Sequence, residues 1–160
     1  MNWLGTNHQR PWASLVDVFA EGRPKPMPRP RTYTDARGRS RTINPSSVTP
    51  WKHLLAIAMR PRGKHTPASG AIRIRLDFYF KRPKRLAKAS GEPLPMPNRM
   101  DVDNLAKAVM DVATDIGIYR DDCQVFDLRV SKWYAPSDWP EGVGIVIEEL
   151  QEENEDGKES

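Results

Sequence analysis

Residues 99–125, RMDVDNLAKAVMDVATDIGIYRDDCQV, carry the pattern that decides the fold. Their apolar residues recur at the spacing of three and four that marks one face of a helix: Leu105, Val109, Val112 and Ile116. Gly117 follows directly, and glycine is common just past a helix end. The pair Asp121-Asp122 comes next, before a segment in which apolar and polar residues alternate. The stretch therefore predicts a helix that leads through a turn into a strand.

The sequence on either side predicts the remaining elements. Ser46 or Ser47 is placed to cap a first helix, whose apolar stripe is Trp51, Leu54, Leu55, Ala58 and Met59. Apolar or alternating segments predict strands at residues 15–19, 72–80, 126–131 and 143–147. The order strand, helix, strand, helix, strand, strand indicates an α/β (α+β) fold.

Length and composition indicate one compact domain. The chain has 160 residues, enough for a single core. No stretch approaches the roughly 18 apolar residues of a membrane span, and the N-terminus lacks a secretory signal pattern. Cys123 is the only cysteine, so no intrachain disulfide forms, and we expect an ordinary, partly buried thiol. We therefore expect a cytoplasmic protein that does not associate with membranes.

Charge is distributed unevenly along the chain. The formal net charge is +4, but residues 148–160 hold seven acids and one lysine, which leaves 24 basic and 14 acidic residues in the rest. A basic body of this kind is typical of proteins that bind nucleic acid, although charge alone is equally well explained by solubility. We expect residues 1–147 to form the domain and residues 148–160 a disordered acidic tail.

Residues 22–41 are both basic and rich in proline. They hold seven lysines and arginines, one acid and four prolines. Proline keeps the backbone extended, so we expect an arm or loop rather than a helix or central strand. This arm would present cationic side chains to DNA phosphates: Lys25, Arg29, Arg31, Arg37, Arg39 and Arg41. The alternative is a solvated linker.

The candidate chemistry lies in the acidic residues around the second helix. Asp101 and Asp103 lie two residues apart in an extended approach to the helix, so they project to the same side. Lys107 follows one turn later, and Asp122 would join them if the next strand lies alongside. Mg²⁺ prefers oxygen ligands and is commonly held by carboxylates together with substrate phosphates. Three clustered aspartates and a lysine therefore suit metal-assisted hydrolysis of a phosphodiester.

Each of these features also has an ordinary structural explanation. An acid before a helix is often an N-cap. Lys107 is well placed for ion pairs with Asp103 or Asp111, four residues away on either side. The pair Asp121-Asp122 could form a plain turn. Their combination on a basic chain favours the catalytic interpretation.

At these residues the sequence resembles the RusA-like family of Holliday-junction resolvases, which is widespread in bacteriophages and prophages. The resemblance rests on D-x-D-N-L-x-K-A-x-x-D at residues 101–111 and D-D-x-Q-V at residues 121–125. Lys132 in the next strand and the proline-rich residues 22–31 also match, and we count Lys132 among the candidate DNA-binding residues. The resemblance extends over residues 16–147 and is strongest over residues 101–132. Met100 departs from it, since the family often has proline there.

The resemblance implies a small fold with a mixed β-sheet of about four strands and two main helices, acting as a homodimer. It implies hydrolysis of four-way DNA junctions at symmetric positions, in recombination and repair, with Mg²⁺ or in its place Mn²⁺. It places catalytic, metal-binding carboxylates at Asp101, Asp103 and Asp122 and a catalytic lysine at Lys107. Adjacent residues on an extended chain point in opposite directions, so we expect Asp122 as the ligand and keep Asp121 as a further candidate.

Two other functions compete with this one. The first is a nuclease that acts on flaps, forks or other branched DNA. The second is a non-catalytic, structure-specific DNA-binding protein whose carboxylates only cap a helix. The presence of carboxylates at every matching position argues against the second, because a cluster of acids gives a polyanion binder no advantage at its DNA face.

Overall fold

A computed structural model describes residues 11–28, 30–43, 46–89 and 91–151. Two α-helices and seven strands lie in these ranges: β1 Trp12–Glu21, β2 Arg31–Thr34, β3 Ser40–Ile43, α1 Thr49–Met59, β4 Ile72–Phe80, β5 Leu94–Pro95, α2 Val102–Asp115, β6 Val125–Tyr134 and β7 Gly142–Leu150.

Five of the strands form one open, mixed sheet in the order β1-β7-β4-β6-β5. Strands β4 and β6 are parallel, and the other neighbouring pairs in this sheet are antiparallel. A parallel pair needs a crossover connection, and α2 lies within it. The α+β class, the two helices and the mixed sheet are confirmed, with five strands where about four were expected.

The core lies between the two helices and one face of the sheet. Alternate residues of β4 and β7 point to this face and are buried: Ile72, Ile74, Leu76, Phe78, Phe80, Val143, Ile145 and Ile147. The predicted stripe of α2 packs against them, with Leu105 and Val109 fully buried and Val112 nearly so. Burying each such side chain contributes roughly 1.5–3 kcal/mol. This packing fixes which side of α2 remains exposed.

Two details of α1 differ from the expectation. Residues Ser46–Val48 form a short 3-10 turn, and the N-cap of α1 is Val48, without a side-chain capping hydrogen bond. The N-cap position expected at Ser46 or Ser47 is therefore taken by Val48. Leu54 is exposed at 44%, although it was assigned to the apolar stripe.

The basic segment is partly a β-hairpin rather than an uninterrupted arm or loop. Strands β2 and β3 pair antiparallel around a turn that contains Gly38, whose φ is +74°. The Asp35 carboxylate accepts hydrogen bonds from the backbone N–H groups of Arg37 and Arg39, at 2.9 and 3.0 Å. The Arg39 bond is the main cause that lowers the pKa of Asp35. The sequence D-A-R-G at residues 35–38 thus forms the turn of this hairpin.

Strand β6 is confirmed, but the apolar residues that alternate along it are not all buried. Phe126 and Leu128 are 61% and 42% exposed. Strand β5 pairs only with Trp133 and Tyr134, so the first part of β6 lies at an edge of the sheet. The register of β6 against β4 also shifts beside Phe126, which interrupts the alternation at this residue. Phe126 stacks on Trp12 instead, with ring centroids 5.8 Å apart.

The chain ends differ slightly from the expected boundaries. Strand β7 continues to Leu150, so the first residues of the acidic segment 148–160 belong to the sheet. Residues 152–160 and residues 1–10 lie outside the described part of the chain. No helix in the described part is long and apolar enough to span a membrane.

Two glycines of β7 provide a test of the sheet packing. A Cβ atom on Gly142 would lie 2.4 Å from the Ala20 carbonyl oxygen, whereas on Gly144 its nearest neighbour would be 3.9 Å away. We expect Gly142→Ala to lower the free energy of unfolding by about 1–3 kcal/mol, the usual cost of overpacking. The matched change Gly144→Ala should alter it by less than about 0.5 kcal/mol. Urea denaturation of both variants measures the difference, and equal effects would contradict the packing described.

Candidate active site

The first turn of α2 carries two of the candidate carboxylates. Asp101 is the N-cap residue, with an extended backbone, and its side chain makes no capping hydrogen bond, while Asp103 lies within the first turn. Both line one surface depression of about 620 Å³, which Lys132 also lines; we call it the Lys132 depression. The structure therefore brings Asp101 and Asp103 to the same cavity.

A second depression lies against the next turns of the same helix. It has a volume of about 480 Å³ and is lined by Asp103, Lys107, Asp111, Asp122, Leu128 and Val130, among others; we call it the Lys107 depression. Asp103 is common to both depressions, so it connects Asp101 on one side with Asp122 on the other. The exposed Leu128 is explained here, because it forms part of a wall of this cavity.

Lys107 forms an ion pair along the helix. Its Nζ lies 3.2 Å from Asp111 Oδ1, and the Lys107 side chain is 58% exposed. An exposed pair at this spacing contributes only about 0.3–0.5 kcal/mol. The pair therefore holds Lys107 at the cavity only weakly.

The two adjacent aspartates have different surroundings. Asp121 is the N-cap of the short 3-10 helix Asp122–Gln124, and its carboxylate accepts a hydrogen bond from the Cys123 backbone N–H at 2.8 Å. That bond is the main cause that lowers the pKa of Asp121. Asp122 lines the Lys107 depression, and Asp121 does not.

Gln124 holds this turn in place, a role that the sequence analysis missed. Its Oε1 accepts hydrogen bonds from the backbone N–H groups of Arg120 and Asp121, each at 2.9 Å. Its Nε2 donates to the carbonyls of Ala68 and Gly70, at 3.0 and 2.9 Å. The signal was present as an acid followed by glutamine three residues later, the spacing of a capping box.

Two further side chains, Tyr119 and Cys123, lie around this turn. Tyr119 is buried, its hydroxyl donates to the Met110 carbonyl, and burial raises the pKa of its phenol to about 12. Cys123 is exposed, so the expectation of a partly buried thiol was wrong. A hydrogen bond to Asp121 is the main cause that raises the pKa of the Cys123 thiol.

The chemistry of these donors suits a hard divalent cation. All the candidate ligands are carboxylates, and Mg²⁺ prefers oxygen. Within the described ranges, no group of three or more His, Cys, Asp and Glu side chains is close enough to hold a metal ion as it stands. Two carboxylates line the Lys132 depression and three line the Lys107 depression, with Asp103 common to both, and the two cavities are open to solvent.

The candidate DNA-binding residues of the basic segment are only partly near this site. Lys25 Nζ donates to the Ser47 carbonyl at 3.1 Å, and the Met27 backbone N–H donates to the Asn104 carbonyl of α2 at 2.9 Å. The segment is therefore anchored beside the first turn of α2. The hairpin farther along carries the exposed Arg31, Arg37 and Arg39, and Arg29 lies outside the described residues.

Lys132 is engaged with protein atoms. Its Nζ donates to the backbone carbonyls of Arg99 and Met100, at 2.9 and 2.8 Å. These two residues directly precede Asp101, and both have positive φ, 56° and 37°.

The sequence is similar to known proteins over most of its length. The sequence matches the family described as "Endodeoxyribonuclease RusA" over residues 21–148. It is also 30% identical over 126 residues to the "Uncharacterized protein YqaN" of Bacillus subtilis (strain 168), an alignment that covers 74% of this chain and 83% of that protein. The matched residues include both helices, strands β2 to β6 and most of β7, but only the last residue of β1. The chain belongs to the RusA endodeoxyribonuclease family.

Proposed function

We propose that this endodeoxyribonuclease cuts four-way DNA junctions in a reaction that requires Mg²⁺, for which Mn²⁺ can substitute. The observation that supports the proposal is the shared position of Asp103, which lines one cavity with Asp101 and another with Asp122 and Lys107. A phosphodiester lying across Asp103 would therefore meet carboxylates on both sides and the exposed Lys107 on one.

Asp101, Asp103 and Asp122 would hold the divalent metal ion, which when bound activates water and polarises the phosphate. Lys107 would leave its weak pair with Asp111 and donate to a non-bridging phosphate oxygen as negative charge develops there. Leu128 and Val130 form an apolar wall at this side of the cavity. Asp121 would support the turn that carries Asp122.

The proposal includes a homodimer and a cytoplasmic location, where the DNA substrate would be found. A four-way junction must be cut on two strands at symmetric positions, and each chain offers one such site. A twofold dimer presents two equivalent sites in opposite orientations, which matches the symmetry of the junction.

The test uses a labelled synthetic four-way junction and a linear duplex of the same sequence. Wild-type protein should make paired nicks in the junction with Mg²⁺ and none with EDTA. Asp103→Asn and Asp122→Asn should each lower cleavage by at least about 100-fold, since outer contacts alone cost 10- to 100-fold at metal sites. Binding should persist or tighten, because a negative charge near phosphate is removed.

Asp17→Asn is a suitable control, because Asp17 is exposed on β1 at the far edge of the sheet and the charge change is identical. Equal cutting of the duplex would indicate a general nuclease, and preferred cutting of flaps or forks a nuclease for other branched DNA. Binding without any cutting would support the non-catalytic alternative.

Lys107→Ala tests the role of the lysine. If Lys107 acts mainly in the transition state, the single-turnover cleavage rate should fall by about 100-fold, with junction affinity changed less than threefold. Rate measurements at saturating enzyme, with affinity measured separately in EDTA, distinguish the two effects. A loss of affinity with an unchanged rate would make Lys107 a simple phosphate contact.

A further inference from the structure

A basic cleft adjoins the carboxylates, and none of its residues was among the candidate DNA contacts. The cleft has a volume of about 370 Å³ and lies where β4 and β6 end. Its buried lining includes Phe80, Met96 and Tyr134. Its charged lining has one acid, Glu141, and five cations: Arg23, Lys81, Arg82, Arg85 and Arg99.

The cleft is continuous with the Lys132 depression. Asn98, Arg99 and Met100 line both cavities. A polymer that passes over Asp101 and Asp103 can therefore continue into the cleft along these shared residues.

Most cations of the cleft are available to a ligand. Within the described residues, Arg23, Lys81, Arg85 and Arg99 form no ion pair with a carboxylate, and all four are exposed. The carboxylate of Glu141 accepts a hydrogen bond from the Lys81 backbone N–H at 2.9 Å. Arg82 has a structural role, because its guanidinium donates to the carbonyls of Ala89 and Glu92.

The open face of the sheet provides a contrast. It also has an arginine-lined cavity, which includes Arg73, Arg75 and Arg129. Each of these arginines pairs with an acid on the same face, namely Glu148, Asp77 and Asp127 in turn. That cavity is therefore largely neutralised, whereas the cleft retains an excess of positive charge.

We infer that the basic cleft binds the phosphate backbone of the DNA strand that continues from the cleavage site. The inference rests on the proposed function, because the path of the DNA strand is traced from the proposed cleavage site. Lysine and arginine on flexible stems suit contacts that position a strand without reading its sequence. The continuity of the cavities and the unpaired cations select this path over the open face.

The experiment compares two variants with the same change in charge, Lys81→Gln/Arg85→Gln in the cleft and Arg75→Gln/Arg129→Gln on the open face. Binding to the four-way junction is measured by fluorescence anisotropy between 50 and 200 mM KCl, conditions chosen to resolve the salt slope of about 0.9 per phosphate contact. EDTA is present, so metal chemistry does not contribute. The cleft variant should reduce the slope by nearly 2, and the open-face variant should leave it unchanged.

Equal slopes for the two variants, or a slope that does not change in the cleft variant, would overturn the inference. Failure of the proposed function would look different, since wild-type protein would bind DNA in EDTA but cut no junction when Mg²⁺ is added. Thermal unfolding of both variants confirms that each is folded.

A second inference concerns Lys132 and rests on the backbone. Arg99 and Met100 are the only non-glycine residues with positive φ in the described ranges. This conformation costs roughly 1–2 kcal/mol for each such residue, so it persists only where the surroundings hold it.

Strand β6 provides the contacts that hold this turn. Lys132 Nζ donates to the carbonyls of both strained residues, and the Lys132 carbonyl accepts from the Met96 backbone N–H at 3.0 Å. The Tyr134 hydroxyl donates to Asn98 Oδ1 at 2.9 Å. Two of the three protons on the Lys132 ammonium are thus already used within the protein.

We propose that Lys132 is a positioning residue that fixes Asp101 through the turn at Arg99 and Met100, in place of the DNA contact expected from the sequence. The test measures the affinity for Mn²⁺ in the absence of DNA by electron paramagnetic resonance. Lys132→Met should weaken Mn²⁺ binding by about tenfold, the effect of losing a supporting contact at a metal site. The salt slope of junction binding in EDTA should equal that of wild-type protein.

A compensating change separates this role from a general loss of stability. Glycine adopts positive φ without the steric cost, so Met100→Gly should restore part of the Mn²⁺ affinity in the Lys132→Met background. A slope reduced by about 0.9 with unchanged Mn²⁺ binding would make Lys132 a DNA contact and overturn the proposal. An absence of rescue by Met100→Gly would also overturn it.

Discussion

The packing of α2 against the sheet is the constraint on which the site depends. Because β4 and β6 are parallel, the chain between them must cross the sheet, and α2 lies in that crossover. Burial of Leu105, Val109 and Val112 leaves Asp103 and Lys107 on exposed parts of the helix. The same crossover places Asp122 at the start of β6, close to the helix. The packing of α2 therefore brings together Asp103 and Asp122, which lie nineteen positions apart in the sequence.

The fold was largely predictable, because periodicity reports burial directly. The stripe of α2, the alternation of β4 and the alternation of β7 all correspond to buried faces. The hairpin of β2 and β3 was missed because β2 is exposed along its whole length, and neither strand shows an alternation of apolar and polar residues. The exposure of Phe126 was missed for a different reason, since the register of β6 against β4 shifts beside this residue and the sequence gives no sign of the shift.

The site was predictable in its members but less so in their contacts. Spacing alone placed Asp101 and Asp103 at the start of a helix, and the structure gives them a common cavity. The partner of Lys107 could not be chosen between Asp103 and Asp111 from sequence, because both lie four residues away; the structure selects Asp111. The left-handed backbone at Arg99 and Met100 had no sequence signal, since neither residue favours positive φ.

The position of β7 has a consequence for how the protein is made. β7 is the last strand in the described part of the chain, yet it lies inside the sheet, and it is the only described strand that pairs with β1. The described ends of the chain also meet, since the Gln151 backbone N–H donates to the Pro11 carbonyl at 2.9 Å. During synthesis, β1 therefore has no strand to pair with until β7 has emerged from the ribosome. Folding of the complete sheet is therefore a late event. A chain that ends before residue 142 lacks the strand that joins β1 to β4.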